Sequence, residues 1–334
     1  MLNYIIVNPF YSGEESSGSG IDVYSRKLYE KIASKENVNA YLLNLSYKDN
    51  RRAIKKNIAR ILSNFNDAST ILEVPDARAF GELIPPKYFR HIRLHCPLFL
   101  AQYYDNQKPG YWTRFREIRQ IRKANYLSAP SHLMKSELSS ILIDRDISVF
   151  PNPSVKPYKI DADATFNKKD IDVLFLGRYQ HLKGIDIFLN LANKLGKELS
   201  IVVAGDNRDI KIDAASNIRN YRFVDPEQKS KLLARAKCVL VPSRFESFSM
   251  VAYEALIHKV KVVAWPRTGF REWVDEKVVF LASNNENETL KTIFSILNDT
   301  PRLEDFSSKV KEMESKFWCG IEEVCREFYR WVGR

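Results

Sequence analysis

Residues 239–254 read VLVPSRFESFSMVAYE, Val239 to Glu254. With Cys238 before it, the stretch opens on an apolar run, Cys238 to Val241, with the length and β-branched content of a short buried strand. Pro242 and Ser243 end that strand. From Ser249 onward the residues are good helix formers, among them Met250, Ala252, Glu254, Ala255 and Leu256. The stretch therefore predicts a strand, a loop and a helix start capped by Ser249. Glu246 falls on the loop and Glu254 one to two turns inside the helix. A helix start presents N–H groups without intrahelical partners and a partial positive charge, which together favour a phosphate. Carboxylates on either side accept hydrogen bonds from hydroxyls. Two glutamates at this spacing are common by chance, and alone they would read as a turn with a solvated Glu254; the flanking residues decide the matter.

The run Pro242-Ser243-x-x-Glu246-Ser247-Phe248-Ser249-x-x-x-x-Glu254-Ala255 resembles the donor-site signature P-S-x-x-E-G-F-G-x-x-x-x-E-A of the retaining, nucleotide-sugar-dependent glycosyltransferases of family 4. Serine stands at both glycine positions. The resemblance implies an α/β protein of GT-B fold: two Rossmann-like domains facing each other, with the C-terminal helix returning to the N-domain. It further implies that Glu246 holds the sugar hydroxyls and Glu254 the ribose hydroxyls. Ser247, Phe248, Ser249, Met250 and Val251 are then donor-binding, and the N–H groups near Ser249 bind the diphosphate.

A second motif supports the first. The apolar run from Val173 to Leu176 is followed by Gly177-Arg178-Tyr179-Gln180-His181-Leu182-Lys183-Gly184. A cation directly after a strand and another five residues later can clamp a diphosphate from two sides. The segment resembles the family's G-R-x-x-x-x-K-G, which assigns Arg178 and Lys183 to the leaving diphosphate. Gly205-Asp206 resembles the family's G-D-G-P. Phe223 and Val224 occupy the loop that borders the base through backbone contacts in relatives. Thr268-Gly269-Phe270 departs from the family pattern at Phe270, where a small residue is usual.

The N-terminal half predicts a similar α/β unit. Tyr4 to Val7 reads as a buried strand, residues 8–20 as a Gly/Ser-rich loop, and Ile21 to Ala33 as a helix. The dinucleotide fingerprint GxGxxG is absent. Ser19 and Gly20 align best with the family loop that contacts acceptor and donor phosphates; a plain flexible loop is the equal alternative. Val38 to Leu45, Thr70 to Val74 and Phe89 to His95 read as strands, and Arg51 to Asn64 as a basic helix. A histidine at the end of a strand faces the ligand crevice of an open α/β sheet. In the family such a histidine hydrogen-bonds the donor sugar; His95 takes this place, with His91 the alternative. Pro151-Asn152-Pro153-Ser154 through Pro157 resembles an interdomain linker, and residues 159–169 fit a boundary. The expected division is 1–153 for the acceptor domain and 154–316 for the donor domain. A long amphipathic helix from Met313 to Trp331 ends the chain, and about 317–334 is expected to rejoin the first domain.

Composition sets the remaining bounds. With 334 residues, 45% hydrophobic and 28% charged, the chain has room for two ordinary domains. It holds no apolar run long enough to span a bilayer. MLNYIIVNPF lacks the basic region and cleavage site of a signal peptide and reads as a first strand. The four cysteines, Cys96, Cys238, Cys319 and Cys325, have no metal-ligand spacing and read as reduced thiols. The net charge is +11, and residues 45–130 carry 16 Lys and Arg against 7 Asp and Glu. No nucleic-acid motif accompanies the charge, so no nucleic-acid partner is expected. In Gly110 to Lys123, GYWTRFREIRQIRK, the residues Tyr111, Trp112, Phe115, Ile118 and Ile121 fall at roughly helical spacing among arginines. The apolar face is expected to pack on the chain's own sheet, and the basic face to meet phospholipid or lipid diphosphate.

These readings together predict a metal-independent hexosyltransferase that needs no cofactor. Its donor is a UDP- or GDP-linked sugar, and its acceptor a glycan, carried on a lipid, in cell-surface polysaccharide synthesis. The expected location is cytoplasmic, peripheral on the inner face of the membrane. A catalytically silent partner subunit and a nucleotide-sugar epimerase of the same fold are the alternatives.

Overall fold

The computed structural model describes residues 1–11, 19–46, 48–142, 144–154, 169–205, 217–274, 279–281, 285–298 and 304–334. The chain divides into two compact units. The first comprises Met1–Tyr103, Gln107–Pro153 and Glu314–Arg334; the second comprises Tyr104–Asn106 and Ser154–Met313.

The first unit runs β1 (Leu2–Asn8), α1 (Gly20–Ala33), β2 (Val38–Asn44), α2 (Arg51–Leu62), β3 (Thr70–Pro75), β4 (Phe89–Arg93), α3 (Leu98–Tyr104), α4 (Tyr111–Arg122), β5 (Tyr126–Ala129), α5 (His132–Ser139) and β6 (Ser148–Val149). Among the described residues its six strands form one parallel sheet in the order β2-β1-β3-β4-β5-β6. Tyr4, Ile5, Ile6 and Val7 are buried without alternation, as a parallel strand covered on both faces requires. A short 3-10 segment, Ala77–Leu83, follows β3 and carries left-handed backbone at Arg78 and Ala79.

The second unit runs β7 (Ile171–Leu176), α6 (Ile185–Lys194), β8 (Ile201–Ala204), β9 (Ile218–Tyr221), α7 (Pro226–Arg235), β10 (Ala236–Val241), α8 (Met250–Ile257), β11 (Lys261–Ala264), β12 (Val279–Leu281) and α9 (Glu286–Asn298). Its parallel sheet has the order β12-β11-β10-β7-β8-β9. The chain leaves β7 towards β8 and β9 on one side, then returns to β10 and continues to β11 and β12 on the other. The β7/β10 boundary, where Val173 pairs with Cys238 and Leu174 with Val239, is therefore the topological switch point. Capping is explicit at α7: Asp225 accepts from the Gln228 N–H, the Gln228 side chain answers it, and Pro226 opens the helix.

The last helix, α10 (Glu304–Val332), starts nine residues before the position read from the sequence. Its Met313 joins the core of the second unit. Phe317, Ile321, Val324 and Phe328 join the first unit's core with Leu2, Tyr4, Leu28 and Phe89. Residues 12–18, 155–168 and 206–216 lie outside the described residues, and with them most of the Gly/Ser loop, the rest of the expected linker, and Asp206. Thr268 leads into a 3-10 turn, Gly269–Trp273, rather than an α-helix, and Phe270 there is wholly buried against Phe248 and Tyr253.

Candidate functional site

The loops leaving the carboxyl ends of β7 and β10 build a cleft at the switch point of the second sheet. Leu176, Lys183, Ser243, Glu246, Ser249 and Val251 line it. After β7 the chain passes Gly177 and Arg178, makes a 3-10 turn over His181–Lys183, and enters α6 through Gly184 at φ +70°. A Cβ at Gly184 would land on the Pro242 carbonyl oxygen and lie 2.8 Å from its carbon, so only glycine lets these two loops touch. Arg244 fastens the same contact. Its N–H donates to Leu182 O at 2.9 Å, and its guanidinium holds Asp186 at 2.9 and 2.7 Å.

That contact brings the two motifs together. Lys183 Nζ donates to Glu246 Oε1 at 2.7 Å, and Ser243 Oγ donates to the same oxygen at 3.2 Å. The Glu246 backbone is fixed as well: its N–H donates to Arg267 O and its carbonyl accepts from Gly269 N–H, each at 2.9 Å. The Arg178 side chain is exposed and has no hydrogen-bond or ion-pair partner among the described residues. One cation is thus held on a carboxylate and the other is free for an anion. Ser243, given no role from sequence, proves to be part of the site; it stands inside the quoted motif, where only the fold shows which way it donates.

Ser249 caps α8, its Oγ accepting from Ala252 N–H at 3.3 Å and its carbonyl from Tyr253 N–H at 3.2 Å. The N–H groups of Met250 and Val251 precede the first intrahelical bonds. Ser249 has φ +85° and ψ 90°, a conformation costly for a residue with a Cβ. The signature has glycine here. Ser249→Gly is expected to raise stability by about 1 kcal/mol, because relief of strain exceeds the few tenths lost when glycine replaces serine as cap. A denaturant melt checks this, and an unchanged or lower midpoint refutes the strain.

Glu254 lies one turn inside α8 and is buried. Lys229 of α7 donates to its Oε1 at 2.6 Å, while Oε2 is buried with no hydrogen-bond partner among the described residues. A buried carboxylate oxygen without a donor is costly, and a ligand hydroxyl would satisfy it. Lys229 carries no sequence signal for this role; its partner is 25 residues away on another helix, and nothing in the local sequence links them. Phe248 sits in the core edge-on to Tyr253 and Phe270, so only its backbone is left to meet a ligand. Phe223 is 60% exposed in the β9–α7 loop, beside a partly buried Val224.

In the first unit His95 follows the end of β4. It is buried edge-on to Tyr24, ring centroids 4.4 Å apart. Burial, then the neighbouring Arg93, pushes its pKa down to about 3, so the ring is neutral at physiological pH. His91 instead lies within β4, its Nε2 2.6 Å from Ser128 Oγ and its Nδ1 3.1 Å from a Glu73 oxygen. Tyr4 and Tyr24 also donate to Glu73, at 2.5 and 2.6 Å. His91, the alternative to His95, is thus consumed by a buried network. Ser19 precedes α1 without a side-chain cap bond, and a Cβ on Gly20 would meet only open space.

The helix α4 reverses one expectation. Its buried face consists of Glu117, Gln120 and Ile121, while Tyr111, Trp112 and Phe115 are exposed. The aromatic face does not pack on the sheet, because the inner positions are taken by polar side chains that bond backbone. Glu117 accepts from the N–H groups of Arg78, Leu98 and Phe99, and Gln120 binds Gly81 N–H and Asp76 O.

Residues 158–313 match the family model of the glycosyl transferases group 1. The chain is 28% identical over 168 residues to an uncharacterised 41.2 kDa protein in the cps region of Klebsiella pneumoniae, covering 48% of this chain and 42% of that protein. It is 22% identical over 214 residues to an uncharacterised glycosyltransferase of Methanocaldococcus jannaschii, covering 54% and 55%. The chain thus spans about half the length of these curated relatives. Among solved structures it is similar to a sucrose-phosphate synthase of Thermosynechococcus elongatus, with TM-score 0.74, 15% identity and 99% of each chain covered. It is also similar to HepE of Anabaena, solved with UDP and glucose, with TM-score 0.71, 11% identity, and 97% of this chain and all of that one covered. The two parallel-sheet α/β units and this full-length likeness give the fold as GT-B.

Proposed function

We propose that this chain is a retaining glycosyltransferase of family 4 that moves a hexose from a nucleoside-diphosphate sugar to a hydroxyl of a glycan acceptor. The observation that carries the reading is the cluster at the β7/β10 switch point. One loop contact there sets Lys183 on a fixed glutamate next to the start of α8, and Arg178 follows β7 in the same loop with its side chain exposed. Arg178, Lys183 and the first N–H groups of α8 neutralise the charge that grows on the departing diphosphate. This electrostatic work needs no metal ion. Glu246 accepts from the sugar hydroxyls, and Glu254 Oε2 from a ribose hydroxyl. A double displacement would need a free carboxylate nucleophile at the anomeric carbon. Glu246 is bonded to Lys183 and Ser243 on one oxygen, which blunts it for that role. The reading is therefore a front-side transfer in which the departing phosphate takes the acceptor's proton.

The match to a protein of a cps region supports a place in cell-surface polysaccharide synthesis, such as O-antigen, capsule or exopolysaccharide, with an acceptor carried on a lipid at the inner face of the membrane. Structural neighbours solved with UDP and glucose, or with UDP-2-fluoro glucose, support UDP as the first nucleotide to try.

Thermal melts with UDP, GDP, ADP and dTDP test the donor site. A nucleotide at a hundred times its dissociation constant adds about 2.7 kcal/mol. One of the four is expected to stabilise the wild type and to stabilise Arg178→Ala and Glu254→Ala much less. Stabilisation by none of them, or an equal response in the variants, removes the donor-site assignment.

A further inference from the structure

Helix α4 turns its polar residues inward and its aromatic residues outward, the reverse of a helix that serves only its own core. Tyr111 is 74% exposed, Trp112 67% and Phe115 45%. The three rings touch in series, with centroids 5.5 and 6.2 Å apart. Such a contiguous apolar surface marks an interaction site. Its surroundings are cationic. Arg114 and Arg116 are exposed on the same helix, Lys108 precedes it and Lys123 follows it. Lys108, Arg116 and Lys123 have no carboxylate partner among the described residues. The helix contains a single acid, Glu117, and that one is buried.

We propose that this face of α4 docks on an anionic lipid bilayer. Aromatic rings that insert at headgroup depth, ringed by cations that meet lipid phosphates, are the composition of an interfacial helix. Each cation near such a surface adds to the binding, and the excess of Lys and Arg over residues 45–130 reinforces it. Among the described residues no helix is long and apolar enough to cross a membrane.

The docked face is joined to the candidate acceptor side. Glu117, on the inner side of α4, accepts from the N–H groups of Leu98 and Phe99, each at 3.1 Å. These begin α3, directly after His95-Cys96-Pro97. A helix lying on the bilayer therefore holds the His95 loop at a fixed distance from the headgroups, where a lipid-linked acceptor presents its sugar. This consequence rests on the lipid-acceptor reading above; the docking itself does not.

The test is co-sedimentation at low salt with vesicles of phosphatidylcholine alone and with a quarter phosphatidylglycerol, together with quenching of Trp112 fluorescence by brominated acyl chains. Binding to the anionic vesicles, weakened by salt, is expected. Tyr111→Ser/Trp112→Ser/Phe115→Ser and Arg114→Glu/Arg116→Glu should each weaken it about tenfold or more, whereas Lys55→Glu/Lys56→Glu on α2, the same charge change elsewhere, should weaken it far less. Circular dichroism and nucleotide-induced stabilisation of the same variants report folding and the donor site separately. Nucleotide stabilisation without vesicle binding sinks the docking alone; vesicle binding without nucleotide stabilisation sinks the donor site alone. Equal binding by all variants overturns the proposal. So does self-association lost in the aromatic variant without vesicle binding, which would give the face to a second copy of the chain.

Discussion

Lys183→Ala is expected to lower kcat by two to three orders of magnitude, about 2.7–4 kcal/mol of transition-state stabilisation, with far less effect on folding. Two losses combine. On the proposed reading, the ammonium that would meet the growing charge on the diphosphate disappears, and the Arg178 guanidinium is too exposed to replace it alone. Glu246 also loses the cation 2.7 Å from Oε1, keeping only the 3.2 Å bond from Ser243, so the carboxylate proposed to grip the sugar is less firmly held. Lys183→Arg keeps the charge but replaces a compact ammonium with a planar fork, and should recover only part of the rate. Initial rates of nucleoside diphosphate release at saturating donor measure both. Retention of more than roughly a tenth of wild-type kcat by the alanine variant would remove Lys183 from the chemistry.

Gly184→Ala is expected to be the most damaging single substitution to the second unit, costing about 3 kcal/mol or more. Its φ of +70° already disfavours any side chain, and the new Cβ falls on the Pro242 carbonyl, which is backbone and has nowhere to go. Gly196 supplies the control. Its φ of +89° carries a similar backbone penalty, but a Cβ there meets open space. Gly196→Ala should therefore cost about 1 kcal/mol. The two melting temperatures separate strain from collision. Equal losses in the two variants would mean that the β7 and β10 loops are not pressed together. Because the collision lies between the loops that carry Lys183 and Glu246, nucleotide stabilisation should fall in Gly184→Ala and persist in Gly196→Ala.

The sequence made the second unit's site legible because its signals are local. An apolar run, a proline-serine stop and a serine before helix formers specify β10, the loop and α8 without knowledge of anything distant. What lay beyond reach depended on partners far along the chain. Phe248 stands inside the quoted motif, yet only the fold shows that Phe270 and Tyr253 enclose its ring. The spacing of Tyr111, Trp112 and Phe115 reads as a core stripe; the inner face goes instead to Glu117 and Gln120, whose backbone partners lie 18–44 residues away. Helix α9 does carry a local signal, Leu290, Ile293 and Ile296 at helical spacing. The left-handed residues Arg78 and Ala79 have no sequence signal, since neither is glycine or asparagine.

The route of α10 bears on how the molecule is made. The first unit's core is closed by Phe317, Ile321, Val324 and Phe328, which pack with Leu2 and Tyr4 from the other end of the sequence. On the ribosome, β1 to β6 emerge long before those four side chains exist. The amino-terminal sheet must wait, its apolar face uncovered, while the whole second unit is synthesised. A domain usually folds as a unit in the order of its synthesis; here completion of the first one is postponed until the second unit has been made, and the unfinished sheet is a natural client for a chaperone until then.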